Sequence, residues 1–465
     1  INVVLDEVST YTTNLYVKYG TQTTSVKPTI TATSTWSVNY NLPAGTTIDV
    51  MVFGDIASHS GTTGTATVDI DGTTASSAVT SDSAAVAGQD ITYSTGVLAT
   101  AFDGSPQNQA VSGNQSVLAG RFKLTSSYQN YTAIEMNFTA NSNAIVISSA
   151  TLKDSAGVVL KTMPVSSSGD FRFTGLSIPI NASTSKVVNL YWDLAIPSAT
   201  FSSWNLNTVA ALTSIKYRDP NGTETTDTPT NTANETYVYR SIPTLTQVDL
   251  LNTAKIANGG IQDLYKFTVS APSQGPIDIK QFKLGLTWTD TDSAGSALEL
   301  ESLKLLKDGV DITSLVNIVD EDTASDVTGT SGVSELNSTI IVTWKTSTQD
   351  TIPTGGSTTY TIKGTPQGFG GGDTAANAAD SVSLSFTADS AVSTKKFLNV
   401  GTLLTGIIKL HTAAAAGIST ATDYNLIWSD ESAVAHVGGL GTASTGDWTN
   451  SYLVLSVLGS EAWTR

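Results

Sequence analysis

Apolar and polar residues alternate with a period of two along most of this chain, and the alternating runs recur in the same order. Leu118–Leu124 and Leu264–Val269 open two copies of one pattern, followed by second runs at Ile134–Thr139 and Ile279–Leu286. Each copy then carries a turn signature, Asp154 to Gly157 in one and Asp308-Gly309 in the other, between runs of strand-forming residues. Asp and Gly tolerate the backbone that tight hairpins require, so each signature predicts a strand–turn–strand unit. Each copy closes on an apolar-Pro pair, Ile178-Pro179 or Ile352-Pro353, leading into a further strand, Val187–Trp192 or Tyr360–Ile362. Helical periodicity is nearly absent while Thr and Val dominate the runs, which predicts an all-β fold of tandem β-sandwich, Ig-like domains.

The N-terminus matches only the back half of the pattern, through Leu15–Gly20 and Leu42–Phe53, with Ile1–Val8 where the other copies have two strands. The predicted domains are an incomplete module over 1–112, sandwich modules over 113–243 and 244–395, and a C-terminal β tail over 396–465 that completes or links them. A sheet short of a strand leaves backbone N–H and C=O groups unpaired beside its core, each costing about 1–3 kcal/mol if buried. The gap calls for a strand from a distant part of the chain or from a neighbouring subunit, as in donor-strand complementation. Leu15–Tyr19 and Ile48–Phe53 are the expected acceptor. The expected donors are Ile1–Leu5 or the tail strands Tyr424–Trp428 and Tyr452–Leu455, with Ile1, Val3, Leu5, Leu426, Trp428, Trp448 and Leu453 at the assembly interface.

Composition narrows the function classes. Forty acidic residues against 23 basic give a net charge of −17 over 465 residues, and the basic residues are scattered, which disfavours nucleic acid and anionic membranes as partners. No apolar run is long enough to span a bilayer, so no direct membrane insertion is expected. The absence of cysteine removes disulfides, thiolate nucleophiles and zinc ribbons. Thr/Ser richness points to an exported chain.

The tail carries Ile427-Trp428-Ser429-Asp430 and Asp447-Trp448-Thr449-Asn450. With these motifs and the repeated apolar-Ala-Gly-x-Phe-x-Leu pattern, the chain resembles Thr/Ser-rich, surface-layer-like cell-surface proteins of candidate phyla radiation (Patescibacteria) bacteria. The resemblance implies an extracellular or cell-surface role and transfers no catalytic residue; the truncated first module departs from a simple string of intact domains.

Candidate chemistry is sparse. His59, His411 and His436 stand apart from one another and from zincin spacing, and read as ordinary surface or turn histidines. Neither a nucleophile elbow nor a phosphate loop occurs, so no enzyme is expected. Calcium is the one candidate cofactor, because a hard cation needs several oxygen ligands at once. Asp290, Asp292, Asp320 and Asp322 are its expected ligands, with Glu321, Asp326, Asp69 and Asp71 as further acidic positions. Trp192, Trp288 and Trp344 lie within alternating strands and are expected in the core. Trp428, Trp448 and Trp463 are expected in the core or at a subunit interface.

The reading that follows is a structural subunit that self-assembles into an extracellular layer, tube or filament by strand complementation, with itself as partner. The alternative is a cell-surface adhesin or glycan-binding protein.

Overall fold

The computed structural model describes residues 1–5, 11–56, 62–69, 72–73, 78–79, 86–140, 146–165, 168–197, 207–250, 256–291, 297–323, 325–345, 348–369, 380–389, 425–433, 436, 447–455 and 458–465. Among these residues the chain is all-β, built of several sheets with one short 3-10 turn at Thr313–Leu315. No helix among them is long and apolar enough to cross a membrane. Three clusters of buried apolar side chains follow one another along the described chain.

The first unit takes up the expected donor Ile1–Leu5 in one sheet, while the expected acceptor lies in another, where Thr12–Tyr19 pairs with Val50–Ile56. The Asn2–Leu5 strand lies between Thr33–Thr35 and Thr62–Asp69, antiparallel to both, with Val3 opposite Ser34 and Val68. Ile1, Val3 and Leu5 are buried with Leu15, Val17, Tyr19 and Trp36 in one core. The Ile1 ammonium donates to the Trp36 carbonyl at 2.9 Å, and the Trp36 N–H returns a bond to the Ile1 carbonyl at 2.8 Å. The residues read from sequence as a donor therefore find their partners within their own unit. The physical reason is that four alternating residues, Asn2 to Leu5, are enough to bridge two neighbouring strands and seal the core face.

In the second unit one sheet runs in the order Val97–Phe102, Ser116–Ser127, Ser185–Leu194, Ile147–Asp154, Val159–Pro164. The other contains Asp170–Ile180, Tyr131–Ala140 and Ala210–Arg218. Their inner faces meet in a shared core, where the rings of Phe122 and Phe138 stand 5.1 Å apart at 63°. Gln109–Ser112 pairs in parallel with Thr236–Tyr239, placing both ends of the unit side by side. The boundary expected at residue 112 thus falls inside this unit's pairing, because Val97–Phe102 also bonds to Ser116–Ser127.

The third unit repeats the plan. Gln262–Ser270, Ser357–Gln367 and Glu299–Lys307 lie in one sheet, and Thr339–Trp344, Ile277–Thr289 and Ser381–Ser385 in the other. Phe267 and Phe282 meet across the core at 5.1 Å. The tail adds strands to the second of these sheets, with Leu426–Ser429 on Ile277–Thr289 and Ser460–Thr464 on Ser381–Ser385.

The repeat extends to its irregularities. The register of Ser116–Ser127 against Ser185–Leu194 shifts between Leu118 and Gly120, and that of Gln262–Ser270 against Ser357–Gln367 shifts between Asp263 and Tyr265. The next strands shift between Ala133 and Glu135, and between Ile279 and Gln281. An extra residue in one strand re-phases its alternation, so Ala119 and Leu264 are buried where strict alternation would turn them out. Gly120 is needed there: a Cβ would stand 2.9 Å from the Phe122 ring and 3.0 Å from Ala233. The Asp308-Gly309 turn has φ of 49° and 84°, the left-handed pair that joins Lys307 directly to Val310 across a two-residue hairpin.

Val3→Asp tests the self-sealed first unit. A carboxylate at this fully buried position is expected to cost about 3 kcal/mol or more, and hydrogen exchange should show the loss in Thr12–Tyr19 while Tyr131–Ala140 keeps its protection.

Candidate functional site

The most unusual surroundings in the molecule belong to the Ile277–Thr289 strand. Ile277, Ile279, Phe282 and Leu284 face the third core, yet Asp278, Lys280, Gln281 and Lys283 are buried as well. Alternation turns such polar residues away from the apolar core, normally towards water. Each buried polar group then needs a partner, since an unmade hydrogen bond costs about 1–3 kcal/mol. Gln281 accepts from the Thr343 hydroxyl at 2.9 Å, Lys283 pairs with Glu321 at 2.8 Å, and Lys280 donates to the carbonyls of Thr348 and Lys345 at 2.6 and 3.3 Å. Burial without a carboxylate partner holds the Lys280 ammonium down at about 8.

Asp278 is met by the tail. Its pairing along Leu426–Ser429 carries the following residues over this aspartate, opposite Ser429 in register. His436 sits between two carboxylates, Nε2 2.7 Å from Asp278 Oδ2 and Nδ1 2.8 Å from Asp447 Oδ2. The Trp448 ring lies 5.1 Å from the imidazole. The second oxygen of Asp278 accepts the Thr351 hydroxyl at 2.5 Å, and Asp447 also accepts the Ala433 N–H at 3.1 Å.

A second set of contacts reaches the second unit. The Arg240 N–H donates to Asp430 at 2.6 Å, and its guanidinium donates to the Glu431 carbonyl at 3.0 Å. Ser432 donates to the other oxygen of Asp430 through both its amide and its hydroxyl. Tyr239 packs on Trp428 at 5.1 Å, Tyr237 meets Tyr452 edge-on at 5.9 Å, and Asn108 donates to the Tyr452 hydroxyl at 3.2 Å. Asp389 gathers the tail from the other side, accepting the amides of Asn425, Leu426 and Ser451.

These surroundings displace the ionisations. Burial opposes a charge on His436, but the hydrogen bonds and charges of Asp278 and Asp447 outweigh it and hold the imidazole up at about 10. Burial raises Asp430 to about 6 against the stabilising bonds from Ser432 and Arg240, with the charge of Asp447 adding to the rise. Burial, then the neighbouring Asp278, pushes Glu431 up to about 7.

The expected calcium ligands are placed otherwise. Asp320 accepts the amides of Asp322 and Thr323 on one oxygen and the Asn337 side-chain amide on the other. Asp322 accepts the Ser338 amide at 3.0 Å, and Asp326 the Thr328 amide at 2.8 Å. These carboxylates cap turn amides, as short acidic side chains in loops do. Asp290 follows the end of the Ile277–Thr289 strand, while Asp292 and Asp71 lie outside the described residues. Among the described residues no group of three or more His, Cys, Asp or Glu side chains is arranged to hold a metal ion.

Of the expected interface residues, Leu426, Trp428 and Trp448 are completely buried within the chain's own third unit, and Leu453 is partly exposed at a φ of 62°. His436 corrects the sequence reading. Its partners Asp278 and Asp447 lie far back in the chain and 11 residues on, so no local spacing marks it; the flanking Ser429-Asp430-Glu431 and Asp447-Trp448 runs were the available signal.

No family model matches the chain, and no curated protein does. Solved structures with a detectable likeness include the C-terminal domain of the AgI/II polypeptide BspA of Streptococcus agalactiae, at 8% identity and TM-score 0.21 over 63% of this chain and 95% of that one. The chaperone–tip adhesion subunit complex CsuC-CsuE of Acinetobacter baumannii matches at 11% identity and TM-score 0.20 over 62% of this chain and 99% of that one. A putative membrane-anchored protein of Corynebacterium diphtheriae matches at 10% identity and TM-score 0.17 over 83% of this chain and 81% of that one. At such TM-scores these likenesses carry no argument about function.

Replacing His436 by Asn leaves Asp278 and Asp447 facing each other without the intervening cation. Breaking a buried charge pair on one side costs about 3–5 kcal/mol, less the part that water screens at this partly open site, so at pH 6 Leu426–Ser429 should lose hydrogen-exchange protection while Ser116–Ser127 keeps it.

Proposed function

We propose that the chain is the display portion of an exported cell-surface protein, an adhesin-like array of Ig-like β-sandwich units whose exposed surface engages a cell-surface glycan or a protein ligand. The observation that carries this reading is the way the tail is used. Its strand Leu426–Ser429 is consumed in the chain's own third unit, and its following residues fasten that unit to the second through Arg240, Asn108, Tyr237 and Tyr239. Ile1–Leu5 is likewise consumed in the first unit. With Ile1–Leu5 and Leu426–Ser429 occupied at home, and the third expected donor, Tyr452–Leu455, forming a turn and not a strand, a folded, displayed array fits the chain better than a strand-exchanged polymer. The low content of charged residues and the Thr/Ser-rich composition support an extracellular setting.

Self-assembly is the second reading, and it rests on open sheet edges. Val97–Phe102 and Val159–Pro164 are the two outermost strands of one sheet, with Val97 and Val159 more than half exposed. An unpaired edge is a template for another chain, although Lys161 and Pro164 on the second of these oppose such pairing.

Light scattering and negative-stain electron microscopy, combined with a glycan array, separate the two readings. The display reading expects monodisperse monomer with saturable glycan or ligand binding, and ordered polymers from the unmodified chain would replace it with the assembly reading.

A further inference from the structure

We propose that the ionisable groups around Asp278 form an acid-closed latch, which holds the tail against the second and third units in mild acid and loosens it in alkali. The groups come from each element packed at this point. The Ile277–Thr289 strand contributes Asp278; its Lys280 is turned to the carbonyls of Lys345 and Thr348. The end of the second unit contributes Arg240 and the buried Tyr239 hydroxyl, which lies within the field of Asp430. The tail contributes Asp430, Glu431, His436 and Asp447. Tyr360, whose hydroxyl donates to Asp350, also feels the charge of Asp278.

Consider the charge that the docked tail must keep out of water. In mild acid Asp430 and Glu431 are protonated, so the anions Asp278 and Asp447 are balanced by the cations His436 and Arg240. Protonated Glu431 then adds no charge beside Asp278, whose nearness helps to raise it. As pH rises, Asp430 and Glu431 ionise and two uncompensated negative charges stand beside Asp278 and Asp447. Higher still, His436 loses its proton and the cation between those aspartates disappears.

Three displacements share one sign. A carboxyl group whose docked pKa is raised stabilises docking fully below its ordinary pKa and loses that contribution as pH rises through the raised value, about 6 for Asp430 and about 7 for Glu431. An imidazole raised above 6.5 contributes fully below that value and loses its contribution through about 10. Docking therefore weakens from roughly pH 5 upwards, first through the carboxyl groups and then through the histidine.

Geometry makes the site suited to this role. Glu431 is held at a φ of 46° with its amide donating to the Ser429 hydroxyl, so its backbone is fixed immediately after the strand that docks the tail. The same residue's carbonyl receives Arg240. A charge that loosens residues 430–433 and His436 therefore acts at once on the pairing with Ile277–Thr289 and on the fastening to the second unit. The latch stands independently of what the displayed surface binds.

Hydrogen exchange of the full chain at pH 5.5, 7 and 8.5, corrected for intrinsic amide rates, tests it. Protection of Leu426–Ser429 and Trp448–Thr449 should fall about tenfold or more between the extremes, with Tyr131–Ala140 unchanged as the internal control. The double variant Asp430→Asn, Glu431→Gln keeps the shapes but cannot ionise at these positions, and it should cut the logarithmic fall by about half, leaving the part that His436 contributes above pH 6.5. A tail that follows the control strand, or a double variant that loosens as steeply as the parent, overturns the latch. Should the double variant fail to fold, the single Glu431→Gln variant must make the logarithmic slope shallower, most of all between pH 5.5 and 7, and an unaltered slope rejects the proposal.

Discussion

The pairing of Leu426–Ser429 with Ile277–Thr289 is the constraint on which the C-terminal half depends. It joins segments separated by nearly 150 residues and encloses a strand whose outward side chains are Asp278, Gln281 and Lys283. Once that face is closed, each polar atom must find a partner inside the protein, because burial without one outweighs the modest net gain of a bond made. The partners are specific: Thr351 and His436 for Asp278, Thr343 for Gln281, Glu321 for Lys283. A hydrophobic covering would tolerate sliding, whereas these contacts accept one register. Of these partners His436 alone belongs to the tail, which Asp389 and Arg240 also hold through hydrogen bonds, and Trp428, Trp448 and Trp463 supply the apolar mass that keeps water out.

Much of the β architecture was legible in the chain. Strands at Tyr131–Ala140 and Ser185–Leu194 follow the alternation closely, with burial patterns that change face at nearly every residue. The Asp308-Gly309 turn lies where its residues place it, for a backbone reason that two adjacent letters encode. The paired runs around Phe122 and Phe267 occupy equivalent strands of two units, so the internal repeat is a structural repeat down to the extra residue before each phenylalanine. That extra residue itself was not legible. Ala119 and Leu264 look like ordinary members of an alternating run, and only the partner strand reveals the change of phase.

The first unit and the candidate site failed to show themselves for different reasons. Ile1–Leu5 was read as a donor strand for assembly, but it pairs with Thr33–Thr35 and Thr62–Asp69 on its two sides; neither neighbour carries the Val/Ile/Leu density that marks a strand. His436 was read as isolated because sequence distance was taken for spatial distance. Asp278 belongs to a strand of the third unit, far back in the chain, and Asp447 lies 11 residues further on. Local rules describe strands and turns well because those depend on neighbours along the chain. Sites assembled by a returning segment depend on the completed topology, which no window of residues contains.

The parallel pair formed by Gln109–Ser112 and Thr236–Tyr239 gives the second unit a mechanical character. One strand lies near the point where the chain enters the unit and the other where it leaves, and both run the same way. Once the preceding Val97–Phe102 strand is drawn off Ser116–Ser127, tension along the polypeptide drags them past each other lengthwise, so that their ladder bears the load in shear, all rungs together. A ladder pulled from one end opens rung by rung under a much smaller force. A chain anchored at one terminus and tugged at the other would find in this short ribbon a clasp aligned with the direction of pull.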